Sequence, residues 1–129
     1  MNGFFFFHPA FVHFPIALYF LETGLLVSWA ITDREAHLNF AALSFRWGYF
    51  FMLLSMLTGF LNAGGLRGIV GKTAVHFYWA LALFVFYTGR VLCQRRLRSG
   101  DHRFFYVGSS VLGSVFVTIT AYCGGMLVY

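Results

Sequence analysis

Charge is scarce in this chain of 129 residues: only 10% are Asp, Glu, Lys or Arg, against about 25% in an average soluble domain. So few charges cannot cover a water-facing surface. They also exclude a disordered chain, which combines high charge with low hydrophobicity. Cysteine is nearly absent, and two residues, Cys93 and Cys123, exclude a disulfide-stapled scaffold. The first 30 residues hold no Lys or Arg. A basic leader region is therefore missing, and the first apolar segment is expected to stay in the mature protein. No phosphate-binding loop, nucleophile elbow, zinc-protease pair or CxxC motif occurs, which leaves hydrolytic and phosphoryl-transfer chemistry without a site.

What the chain does have is apolar length. Hydrophobic residues make up 60% of it and aromatic residues 22%. A helical span needs about 20 mostly apolar residues, and four stretches qualify, at about 9–31, 44–63, 71–94 and 104–129. Polar or glycine-rich breaks separate them. The runs are too long, and alternate too little, for barrel strands. The expected fold is all-α: one integral membrane domain built as a four-helix bundle.

Basic residues orient it. Seven arginines (Arg34, Arg46, Arg90, Arg95, Arg96, Arg98, Arg103) fall on the side of the first and third connections, whereas only Arg67 and Lys72 fall on the other. The arginine side is then cytoplasmic, both termini face outward, and a bacterial inner membrane is the expected location. These basic residues read as loop anchors or as contacts for anionic lipid headgroups, and not as a nucleic-acid surface. Cys93 and Cys123 fall near opposite ends of the bundle, too far apart to bond.

Three histidines gather at the outer end. His13 in the first span and His76 in the third lie roughly 6–8 Å below the outer edge of the hydrocarbon, and His8 lies at the mouth. Gly64, Gly65, Gly124 and Gly125 sit at the same level. Intramembrane ionisable groups usually face the bundle interior with a purpose. His13 and His76 are thus expected to be axial ligands of a b-type haem, with glycines letting the flat macrocycle approach the backbone. Phe14, Phe77, Tyr78 and Tyr122 are expected to line the pocket. His8 and His13 are separated by about 140° on a continuous helix. If the helix starts near His13, His8 lies on an arm that folds over the pocket, and a three-histidine copper or iron ion becomes an alternative. The opposing reading gives these histidines only hydrogen bonds to neighbouring helices.

Glu22 is the one acid deep in a span. An interhelical ion pair or a protonated hydrogen-bonding role is expected, with Arg90 and Arg46 within reach; a proton relay is the alternative. His37 and His102 fall at the arginine side and are expected to be solvated or in contact with headgroups, so a second haem there has no ligands. Small residues along the fourth span, from Gly108 and Ser110 to Gly124, suit close helix packing in lipid.

The run His8-Pro9-Ala10-Phe11-Val12-His13-Phe14-Pro15-Ile16-Ala17-Leu18 resembles the opening signature of a bacterial four-span membrane family, domain of unknown function 2231. Glu22, His76 and the closing Gly124-Gly125-Met126-Leu127-Val128-Tyr129 fit its pattern as well, so the resemblance covers the whole chain. It implies a haem-b electron-transfer role at the outer face, because such proteins occur with c-type cytochrome modules. The leading expectation is therefore a small subunit exchanging electrons with a c-type cytochrome or a larger redox complex. The rival is a non-catalytic accessory subunit of a respiratory or photosynthetic complex, holding lipid, quinone, carotenoid or chlorophyll.

Overall fold

A computed structural model describes residues 7–128. Four helices run α1 (Phe7–Thr32), α2 (Glu35–Asn62), α3 (Gly71–Leu97) and α4 (Arg103–Gly125). Each is long and apolar enough to cross a membrane, and no strand occurs among the described residues. The expected all-helical, four-span architecture is thus present. Tyr129, the end of the fourth expected span, lies outside the described residues.

The connections are short. Asp33 turns the chain from α1 to α2 with a positive φ of 56°, a conformation that Asp tolerates better than most residues. α2 begins nine residues before its apolar run, at Glu35. This first stretch is helical because Leu38 and Ala41 pack on Leu26 and Trp29 of α1. Arg46 consequently lies within α2 and not in a loop. At the other end Gly64 and Gly65 (φ 75° and 74°) turn the chain through a single 3-10 turn, Gly65–Gly68, into α3.

α1 packs closely against α2 and α4, and α3 packs against α4. α2 and α3 hardly touch. The apolar core joins Tyr19, Phe45, Met52, Leu83, Tyr87 and Val117 from all four helices. Large apolar side chains also cover the outside, among them Ile31, Leu92 and Phe104. A water-soluble protein would not present such a surface, and a lipid-facing one must.

The two hairpins repeat one another. The buried positions of α1 include Pro15, Tyr19, Glu22 and Trp29; shifted by 68 they become Leu83, Tyr87, Arg90 and Leu97, the buried residues of α3. A shift of 65 carries Ala41, Phe45, Gly48, Met52 and Ser55 of α2 onto Tyr106, Ser110, Gly113, Val117 and Thr120 of α4, all buried. Corresponding helices run in the same direction, so the hairpins are parallel repeats about an axis along the bundle. Equivalent residues meet on that axis. Tyr19 and Tyr87 stack with ring centroids 3.8 Å apart and planes 13° from parallel.

Each stacked tyrosine rests on a glycine of its own hairpin. A methyl at Gly48 would lie 2.8 Å from Tyr19 Cε1, and one at Gly113 would lie 2.8 Å from Tyr87 Cζ. Both rings are fully buried and cannot yield. Gly48→Ala and Gly113→Ala should each lower stability by about 1–3 kcal/mol through overpacking. Gly24 and Gly89 face open space; alanine there should gain about 0.5–1 kcal/mol of helix propensity. Circular-dichroism melting in detergent separates the two pairs, and equal melting points for all four variants would refute the packing argument.

Candidate functional site

The interior stripe of α1, through Trp29, Leu26, Glu22, Tyr19 and Pro15, continues outward to His8. Eleven residues separate His8 from Tyr19, close to three helical turns, so both point into the bundle. His76 stands eleven residues before Tyr87 on α3 and points inward for the same reason. His8 and His76 are therefore equivalent positions of the two repeats. They stand at the same end of the bundle, His8 in the first turns of α1 and His76 in the first turns of α3.

Their surroundings repeat as well. The His8 ring lies on Gly59 of α2, where a Cβ would sit 2.8 Å from its Cε1; the His76 ring lies on Gly124 of α4, at 2.9 Å. Gly59 and Gly124 are related by the same shift of 65 as the rest of α2 and α4. Only a missing side chain lets an imidazole lie so close to a helix backbone.

Hydrogen bonding favours the same tautomer in both rings. His8 Nδ1 lies 3.2 Å from Thr58 Oγ1. That hydroxyl already directs its one proton to the carbonyls of Leu54 and Ser55, so it accepts from His8 Nδ1–H. His76 Nδ1 lies 3.0 Å from the Thr120 carbonyl, which can only accept. With Nδ1 as the donor, the neutral form of each ring leaves Nε2 as the acceptor nitrogen. An Nδ1–H held by an oxygen, with Nε2 left bare, is how proteins hold metal-ligating histidines.

The structure corrects several expectations. α1 is continuous from Phe7, so His8 is not on a folded-over arm. On that continuous helix His13 is turned away from the stripe. It is exposed, and its Nδ1 bonds back to the Pro9 carbonyl. The inner pair is His8 with His76, and His13 stands apart. No group of three metal-ligating side chains forms among the described residues, so the three-histidine ion site is not assembled. Gly64 borders open space, Gly65 faces Phe60, and nothing lies near Gly125; of the four glycines singled out, Gly124 alone seats a histidine. Phe14 stacks on Phe51 of α2 at the surface, and Tyr78 and Tyr122 are exposed. His37 is half-buried and bonds to Ser28 Oγ at 2.9 Å, where a ring in solvent or among headgroups was expected.

Deeper on the axis sits the polar core. Glu22 and Arg90, equivalent in the two repeats, form a two-pronged ion pair at 2.7 and 3.0 Å. Their side chains are 0% and 4% exposed. The Arg90 guanidinium lies over the rings of Phe45, Tyr87 and Tyr106 at 4.8, 5.5 and 5.8 Å from the centroids. Arg46, the other candidate partner, faces outward. The ion pair joins α1 to α3 across the bundle axis. Cys93 is exposed and Cys123 half-buried; both are free thiols.

Two parallel helical hairpins, with a mirrored histidine–glycine seat at one end and an ion pair on the axis between them, define a four-span membrane protein. The chain belongs to the family described as "Predicted membrane protein (DUF2231)", whose profile matches residues 6–129. No curated protein and no solved structure matches it.

Proposed function

We propose that this protein is a small membrane electron-transfer subunit whose outer end holds one b-type haem between His8 and His76. The observation that carries the reading is the paired seat. Two rings from two repeats each give Nδ1–H to an oxygen, keep Nε2 bare, and rest on a glycine. Haem suits this donor set better than a naked ion. A protein-bound iron or cupric ion is usually held by three or more side-chain ligands, whereas haem supplies four nitrogens of its own and asks the protein for two.

Haem bound there would cycle between ferric and ferrous iron and supply the redox chemistry. The protein's own residues do the rest. Thr58 and the Thr120 carbonyl hold the imidazoles in the ligating tautomer, and Gly59 and Gly124 keep the backbone clear. The apolar core below the pair withholds water from that face. With the arginine-rich end in the cytoplasm, the site lies near the periplasmic surface of a bacterial inner membrane. A c-type cytochrome or a neighbouring redox subunit would exchange electrons there.

The test is the dithionite-reduced minus oxidised absorbance spectrum of the full chain, purified in mild detergent from haem-replete cells. Sharp α and Soret bands of a six-coordinate low-spin haem are expected. Protein that carries no haem, and takes up none when hemin is added, would defeat the proposal.

A further inference from the structure

A second site lies at the opposite end of the bundle. A groove of about 320 Å³ opens on the seam between α2 and α3, lined by Asn39, Phe40, Leu43 and Arg46 of α2 and by Arg98 just past α3. We propose that it binds the phosphate of an anionic glycerophospholipid, with the acyl chains lying in the seam above it. This assignment is independent of any cofactor.

Charge is the first argument. Two arginines, Arg46 of α2 and Arg98 at the cap of α3, line the groove, and no carboxylate does. Arg98 Nη2 donates to Asn39 Oδ1 at 2.8 Å, which fixes that guanidinium at the rim with donors to spare. Arg46 is exposed and unpaired among the described residues. A neighbouring groove at Gly100–Phe105 is different: it contains Asp101, and its Arg103 is already paired with Asp33.

Depth is the second. Arg98 caps the end of α3, and Arg46 stands where the apolar run of α2 begins. That is headgroup level, where arginines meet lipid phosphate. The walls are the third. Phe40 and Leu43 are 59% and 48% exposed. Because α2 and α3 hardly touch, the seam above them is open to hydrocarbon chains. Free phosphate would use the two arginines and leave these apolar walls uncovered.

The full chain is reconstituted into nanodiscs of equal parts phosphatidylcholine and phosphatidylglycerol, then released for native mass spectrometry. Phosphatidylglycerol adducts should exceed phosphatidylcholine adducts in the wild type, a result that needs no variant to fold. Arg46→Gln and Arg98→Gln should each cut the excess roughly fivefold. Arg95→Gln, exposed and outside the groove, should leave it unchanged. Equal retention of the two lipids by the wild type would overturn the proposal. So would loss of the excess in Arg95→Gln to the same degree, which marks a diffuse basic surface. Displacement of the lipid by millimolar inorganic phosphate would overturn it too, because the site would then read phosphate alone.

Discussion

Arg90→Met should be among the most damaging single substitutions in this chain, lowering stability by about 3–5 kcal/mol. The reason is what it leaves behind. Glu22 is fully buried, and both of its oxygens are bonded to Arg90. Without the guanidinium it becomes a lone carboxylate inside a bilayer, and breaking a buried pair in this way costs far more than the pair itself contributes. Glu22→Leu should be as harmful, stranding Arg90 among Phe45, Tyr87 and Tyr106. The double variant Glu22→Leu, Arg90→Met should recover most or all of the loss. Apolar replacement of a whole buried pair is often neutral or stabilising. Here the polar core is also incompletely satisfied: Arg90 Nε, Tyr87 Oη and Gln94 Oε1 have no partner among the described residues. Unfolding titrations in mixed micelles check the cycle. Additive losses in the double variant would show that the two residues do not act as a pair.

The bundle itself was legible because its signal is coarse. Apolar runs of membrane length need no side-chain detail, and four helices follow. Glu22 was legible as a residue in need of a partner, because an acid in hydrocarbon has few options. The choice of Arg90 over Arg46 needed the helix phases. Arg90 lies on the buried stripe of α3, three residues after Tyr87, whereas Arg46 lies on the outer face of α2.

Helix phase also decides which histidine of α1 faces inward. Depth alone favours His13, which matches His76 in distance from the membrane edge. Facing is decided by the stripe that starts at Trp29 and steps back through Glu22 and Tyr19, and that stripe passes through His8. The two prolines obscured this by suggesting a break near His13. Both prolines are accommodated within α1, which runs without a break from Phe7.

A further signal was present and unread. Gly48, Phe51, Ser55 and Gly59 have the same spacing as Gly113, Phe116, Thr120 and Gly124, and His8, Tyr19 and Glu22 the same as His76, Tyr87 and Arg90. Few residues between these positions match, because lipid accepts almost any apolar side chain on the outer faces. A repeat carried only by axial contacts is therefore faint in the sequence and plain in the packing.

The proposed haem site is tested most directly at the histidines themselves. Full-length wild type, His8→Ala, His76→Ala and His13→Ala are purified from haem-replete cells, and their reduced minus oxidised spectra are scaled to protein. His8→Ala and His76→Ala should each lose the low-spin signature, retaining a weak high-spin haem or none. His13→Ala should keep the wild-type spectrum, because its ring is exposed and bonded to its own helix. Loss of the signature in His13→Ala with retention in His8→Ala would contradict the paired seat and return the site to the other face of α1.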